Sequence, residues 1–308
     1  MTLFEQMLNA LQATMETPGN YGWFHLMSVA IMICVTVFMV MLINKADAKA
    51  AAGIAPGGLF AKQWLAKTAS KNIPVTGNEF TYRRFIAICW IIIVLFEIYK
   101  QLVFSLHVDG DAASWSYQWY AFPYQLCSTP LYVMPFIAFL KPGKIRNALM
   151  VFLASFALFG GLAVYVFPND VYTNMIGINI QTMVHHGIQI ITGIVTIAHL
   201  YKYLNFKTYL PAVLVFIPIL LLALGLDVIG HYYIPGTFNM FYISPWYPCT
   251  LPVLSIIYAA VPYPVFLCTY VFGFMVVAGF VCWLFWLLLK LCYTIKEKIA
   301  DKKASRNE

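Results

Sequence analysis

Phe85-Ile-Ala-Ile-Cys-Trp-Ile-Ile-Ile-Val-Leu-Phe-Glu97-Ile-Tyr-Lys100-Gln-Leu-Val-Phe-Ser-Leu106 decides the fold. A bilayer core of about 30 Å takes roughly 20 apolar helical residues to cross, and this run meets that length. It also carries two charges, Glu97 and Lys100. Their spacing of three puts them on one helical face, where they can neutralise each other. An ionisable group in hydrocarbon costs about 3 kcal/mol or more and marks a site by default. The bland reading is a buried ion pair that only fixes helix packing.

The rest of the chain agrees with that stretch. Of 308 residues, 62% are hydrophobic and 10% charged. A soluble domain carries about 25% charged residues, so this chain cannot coat a globule with charge. The composition points to an all-α, polytopic membrane protein, and excludes a disordered chain and a disulfide scaffold. It also excludes a nucleic-acid binder, whose basic residues must share one solvated face. Seven spans are predicted: Trp23–Ile43, Phe85–Leu106, Phe122–Leu140, Ala148–Phe167, Ile180–Leu200, Tyr209–Gly230 and Val265–Leu291. The first lies too late and lacks the basic leader of a signal peptide. Pro248–Pro264 is apolar but proline-rich and reads as a re-entrant or interfacial segment.

Of 19 Lys and Arg, all but Lys100 fall on one side of such a bundle. They precede the second span (Lys45, Lys49, Lys62, Lys67, Lys71, Arg83, Arg84), separate the third and fourth (Lys141, Lys144, Arg146), or follow the fifth (Lys202, Lys207) and the seventh (Lys290 to Arg306). The positive-inside rule makes that side cytoplasmic, with the N-terminus outside and the C-terminus inside. The expected organisation is an accessory span and linker over 1–84, a six-helix core over 85–292 and a basic tail over 293–308. Within the linker, Leu59–Ala69 follows Gly57–Gly58 and reads as a basic amphipathic helix on the inner surface. The expected location is a cell membrane, that of the bacterial cytoplasm.

Depth turns the polar residues into a candidate site. At 1.5 Å per residue, Glu97, Lys100, Tyr124, Gln125, Cys127, Gln181, His185, His186, Asp227 and His231 lie roughly 5–14 Å below the outer boundary. Adjacent helical residues point about 100° apart, so His185 and His186 cannot both face one point. Asp227 and His231 can equally form a helix-end hydrogen bond at a wet interface. His199 reads as a satisfied interfacial histidine, and His25 and His107 as solvated at the outer face.

Seven cysteines show no metal-ligand spacing, so no metal or cofactor is expected. Cys34, Cys89, Cys268 and Cys282 read as packing residues, and Cys292 lies at the inner interface. A bridge from Cys127 to Cys249 would need a distance that sequence does not set. Cys127 differs through its neighbours. Pro123 suits the first turn of a helix, whose positive end would favour a thiolate at Cys127. Pro130 and Pro135 would free the carbonyls of Leu126 and Leu131. A nearby His or Lys would then activate the thiol. The bland reading is a small residue at a kink.

Phe122-Pro-Tyr-Gln-Leu-Cys127 resembles the proline-to-cysteine motif of the YwaF-like bacterial membrane proteins, which are similar to the eukaryotic transmembrane protein 164 acyltransferases. Phe159-Gly-Gly-Leu-Ala, Met183-Val-His-His-Gly187, and Asn239-Met-Phe-Tyr followed by Pro262-Tyr-Pro264 resemble that family's fourth helix, histidine helix and aromatic loop. The resemblance covers roughly 85–290. It implies acyl transfer from a phospholipid through an acyl-cysteine at Cys127, with His185 or His186 as base. Where the family has a His two residues before the cysteine, this chain has Gln125, which can hydrogen-bond but not shuttle a proton.

The expectation is a transacylase moving a fatty acyl chain from an outer-leaflet phospholipid to a lysolipid or lipoprotein acceptor. Lys100 and Glu97 would face the oxyanion or phosphate, and Tyr124, Gln125, Gln181, Asp227, His231 and Asn239 would bind substrate. The alternatives are a small-solute transporter or channel, in which Glu97, Lys100 and Asp227 line a path, and a non-catalytic lipid-binding protein.

Overall fold

A computed structural model describes residues 6, 9–51, 79–109, 112–169 and 171–305. The amphipathic stretch Leu59–Ala69 and the Gly57–Gly58 pair lie outside the described residues. The helices, in chain order, are α1 (Trp23–Ala51), α2 (Glu79–Ser105), α3 (Pro130–Phe139), α4 (Lys144–Val166), α5 (Ile176–His199), α6 (Phe206–Tyr233), α7 (Leu254–Ala260) and α8 (Tyr263–Ala304). A small antiparallel hairpin, β1 (Leu106–Asp109) with β2 (Ala112–Trp115), follows α2 and departs from the all-α expectation.

Five helices, α1, α2, α4, α6 and α8, are long and apolar enough to cross a membrane. Their outer faces carry exposed Phe38, Leu95, Leu214, Phe272 and Phe280. Large apolar side chains cover the outside of the bundle, while its interior buries polar residues among an apolar core, an arrangement that hydrocarbon favours and water does not.

Helix α5 explains that inversion. Its 24 residues are long enough to span, but they include Asn179, Gln181, His185, His186, Gln189, Thr192, Thr196 and His199. All eight are buried. The helix is packed against α1, α2, α4 and α8, so it is the axis of the bundle and shows little surface to lipid. Thr192 and Thr196 turn their hydroxyls onto the carbonyls of Ile188 and Thr192, four residues back, at 2.6 Å each. Those bonds satisfy Thr192 within its own helix, while the Thr196 hydroxyl also meets the Tyr82 hydroxyl of α2 at 2.8 Å. Helix α4 contains a π-turn at Leu153–Ala157, where the Ser155 hydroxyl donates to the Val151 carbonyl at 2.6 Å. Such a turn inserts one extra residue and re-aims the helix beyond it.

The expected third span is not one helix. Residues from Trp119 to Ser128 form two 3₁₀ turns, Trp119–Ala121 and Leu126–Ser128, and α3 starts only at Pro130. Pro130 has no N–H to bond backwards, and its ring would collide with a helical carbonyl at position 126. It therefore starts a helix where a kink was expected, and Pro123 starts none. The Leu126 carbonyl is not free: Thr129 donates to it from its hydroxyl at 2.7 Å and from its N–H at 3.2 Å. The carbonyl released by Pro135, that of Leu131, accepts from the Trp90 indole at 3.0 Å.

The bundle has two chemically different ends. At one, Arg83, Arg146 and His199 converge on Glu79, Trp286 donates to the Tyr201 carbonyl, and Tyr293 meets Asn44. Lys202 lies next in sequence to Tyr201, and Lys290 four residues past Trp286, at that end. At the other end, Tyr99 and Gln12 tie the N-terminal segment to α2, and Tyr21 donates to the Val166 carbonyl.

Candidate functional site

Cys127 is half-buried in the 3₁₀ turn before α3, three residues short of the helix N-terminus. It therefore does not sit on that helix's positive end. Its main-chain carbonyl is held instead. His185 Nε2 lies 2.9 Å from the Cys127 carbonyl oxygen, and Gln189 Nε2 donates to the same oxygen at 2.9 Å. His185 and Gln189 are one turn apart on α5, so one helix face grips one peptide group. Among the described residues, no hydrogen bond joins the Cys127 sulfur to either imidazole.

The histidine tautomers follow from their partners. A carbonyl oxygen only accepts, so the nitrogen facing it must carry the proton. His185 is thus protonated on Nε2. His186 Nδ1 lies 2.7 Å from the Thr182 carbonyl and is protonated there. The remaining nitrogens, His185 Nδ1 and His186 Nε2, are buried, lack hydrogen-bond partners and keep their lone pairs. The two rings meet edge to face at 5.5 Å. As their 100° offset requires, only His185 points at Cys127.

Lys100 and Glu97 form the ion pair that their spacing predicts, at 2.8 Å. Glu97 Oε1 also accepts from Gln101 Nε2 at 2.6 Å, and that amide donates further to the Ala121 carbonyl at 2.9 Å. Glu97 and Lys100 reach the segment before Cys127 through Gln101, and His185, with His186 ring to ring beside it, holds the Cys127 peptide, so the five form one polar cluster inside an apolar bundle. Gln101 and Gln189 belong to it too and were missed. Each lies four residues after a residue already singled out, which was the signal available.

The other expected site residues do different work. Gln125 is a clamp: its Nε2 donates to the Asn239 carbonyl at 2.9 Å and its Oε1 accepts from the Phe241 N–H at 2.7 Å. Asp227 accepts from the Met240 N–H at 2.5 Å, and Asn239 accepts from the Ser244 N–H at 3.0 Å. Phe241 and Tyr242 have φ of +56° and +57°. Non-glycine residues in that region cost about 1–3 kcal/mol each, and persist where surrounding bonds over-determine them. Gln125 and Asp227 supply those bonds. Tyr124 donates to the Ile219 carbonyl at 3.2 Å and packs against Phe241. Gln181 is buried, and its amide oxygen accepts from the neighbouring Thr182 hydroxyl at 3.5 Å.

Asp227→Ala should cost about 1–3 kcal/mol, because the buried Met240 N–H then has no acceptor. Asp227→Asn should lose less, since its amide oxygen can still accept. Thermal unfolding in detergent reads this, and equal losses for the two variants would remove the loop-anchoring role.

Three histidine expectations change. His231 is exposed and stacks flat on Trp246 at 4.0 Å, away from Asp227's bond to the loop. His25 is 2% exposed, packed among Tyr21, Tyr165 and Tyr172, and so is not solvated. His199 belongs to a buried charge network with Glu79, and Tyr82 stacks on its ring at 4.2 Å. His107 is exposed, as expected. All seven cysteines are free, so Cys127 and Cys249 are not bridged.

Compared with known proteins, the chain matches no family model, no curated protein and no solved structure.

Proposed function

We propose that the chain is a seven-span membrane acyltransferase that carries a fatty acyl group from a phospholipid as a thioester on Cys127. The observation that carries this reading is the grip of His185 and Gln189 on the Cys127 peptide, beside the Lys100–Glu97 pair. It holds the Cys127 peptide against α5, which carries two buried imidazole nitrogens without hydrogen-bond partners, and α2 carries the Lys100 cation. Those are the parts that acyl transfer through cysteine requires.

In the proposed sequence, the thiol gives its proton to His185 Nδ1 or His186 Nε2. The thiolate attacks the ester carbonyl carbon, and the Lys100 ammonium stabilises the oxyanion. The carbon–oxygen ester bond breaks, and the imidazolium returns its proton to the departing lysolipid oxygen. A lysolipid hydroxyl or a lipoprotein amine then attacks the thioester and releases the thiol. The sulfur must turn toward an imidazole for the first step, and catalytic hydrogen bonds commonly close only around substrate.

The proposed topology has the N-terminus outside, with α3 and its preceding turns as the third span and α5 as the fifth. The gathering of Arg83, Arg146, Lys202, Lys207 and Lys290 at one end supports that end as cytoplasmic. The Cys127 cluster would then face the outer leaflet of a bacterial cytoplasmic membrane.

The test is direct. Purified protein in vesicles is given phosphatidylethanolamine and phosphatidylglycerol with labelled acyl chains. A hydroxylamine-sensitive adduct on Cys127, found by mass spectrometry and absent in Cys127→Ser, is the expected result. No adduct with either lipid, and a cellular lipid profile unchanged in Cys127→Ser, would overturn it. Solute flux abolished by Lys100→Ala but indifferent to Cys127→Ser would establish transport in its place. Neither activity, with lipid retained, would leave a lipid-binding protein.

A further inference from the structure

A cavity of about 750 Å³ lies between α4, α6 and α8. Its floor is buried Val151, Val213 and Cys282, and its walls include Tyr209, Phe280 and Trp283. Along α8 it runs from Phe272 to Trp286, roughly 21 Å at 1.5 Å per residue. That is a slot with the length of a lipid leaflet, and its volume falls in the range of about 300–1,000 Å³ typical of small-molecule sites.

Two features make it a recess and not an ordinary lipid-facing surface. Gly279 lines it, and a Cβ there would meet the Tyr209 ring at 3.1 Å. The Tyr209 hydroxyl is already committed to the Met275 carbonyl at 2.5 Å, which holds that ring along the slot. One end of its lining is formed by Asn205, Phe206 and Trp286, the end where Trp286 bonds to the Tyr201 carbonyl. Lys290 places its ammonium 5.2 Å from the centre of the Trp286 ring, and Lys207 lies two residues past Asn205. Both lysines are exposed, and neither makes an ion pair among the described residues. Trp286 is itself fixed by its bond to the Tyr201 carbonyl at 3.0 Å.

An apolar slot of leaflet length, with two exposed lysines outside any ion pair next to one end of its lining, is complementary to one kind of molecule. We infer that this slot binds one acyl chain of an anionic phospholipid from the leaflet at the basic end, with Lys207 and Lys290 on its phosphate. Lysines at the membrane surface attract anionic headgroups, and the attraction falls off within a Debye length. The inference rests on the chain lying in a membrane, and is independent of any chemistry at Cys127.

Full-length protein in vesicles is exposed to phosphatidylglycerol or phosphatidylcholine, each with a diazirine on the same acyl carbon, and irradiated. Labelling by phosphatidylglycerol should concentrate on peptides holding Val213 and Val276–Gly279, at least fivefold above phosphatidylcholine. Lys207→Gln with Lys290→Gln should erase the preference between lipids without loss of the folded fraction. Gly279→Leu should lower labelling of the slot by both lipids, and Cys127→Ser should leave it unchanged. Equal labelling by the two lipids, or a preference that survives the double lysine variant, would mean unspecific surrounding lipid and overturn the assignment.

Discussion

Replacing Glu79 by alanine should destabilise the protein by about 3–5 kcal/mol, the cost of breaking a buried ion pair by removing one partner. The Glu79 carboxylate accepts from Arg83 Nε at 2.7 Å and pairs with Arg146 at 2.5 Å, and its second oxygen lies 3.5 Å from His199 Nε2. Side-chain exposures in the network are 2–7%, so water cannot screen what remains. The two arginines also donate to the Ala138 and Ile137 carbonyls, at 2.9 and 2.7 Å. Those are among the last carbonyls of α3, which no helical N–H can reach. One carboxylate therefore holds α2, the α3–α4 corner and α5 together. Without it, two buried guanidinium groups lose the carboxylate between them.

Glu79→Gln should lie between wild type and Glu79→Ala, since its amide oxygen can still accept from one arginine. Changing Glu79, Arg83 and Arg146 together to Met should recover part of the loss, because no uncompensated charge is left. Thermal unfolding in detergent and the folded fraction on size exclusion read all three. A Glu79→Ala protein with an unchanged midpoint would show that the network holds nothing together.

That network was hidden by its own residue types. Arg83 and Arg146 flank apolar runs, where basic residues ordinarily act as solvated topology signals, and Glu79 lies before the apolar run begins. Nothing local distinguishes a charge that ends in water from one that folds back over α3. By contrast, the Lys100–Glu97 pair was legible, because helical spacing alone brings the two together. The divergence of His185 and His186 was legible for the same geometric reason. The break at Pro130 was misread because a proline can kink a helix or start one, and only the surrounding packing decides. Gln125 was read as a substitute in chemistry, but its two bonds go to the strained turn at Phe241. That turn is over a hundred residues away in sequence, beyond the reach of any periodicity.

Gly161→Ala should cost about 1–3 kcal/mol, and Gly161→Leu more, because α4 and α5 touch there without a side chain between them. A Cβ at Gly161 would stand 2.7 Å from the His186 carbonyl oxygen and 2.8 Å from Gln189 Cβ, closer than van der Waals contact permits. Both neighbours are on α5 and neither is the free end of a flexible chain, so the helices must part. In a membrane, water offers no drive to keep them together, and close packing at small residues carries much of the association. Gly273 on α8 is the matched control: a Cβ there meets nothing within 4 Å. Gly273→Ala should be neutral or stabilising by up to about 1 kcal/mol, through helix propensity. The two substitutions are chemically identical, so propensity cannot separate them and only helix contact can. Gly161→Ala also has a second consequence that Gly273→Ala lacks. Moving α5 at His186 and Gln189 loosens the grip on the Cys127 peptide, so any acyl adduct at Cys127 should fall together with the unfolding midpoint. Equal midpoints for the two alanine variants would mean that α4 and α5 do not meet at Gly161.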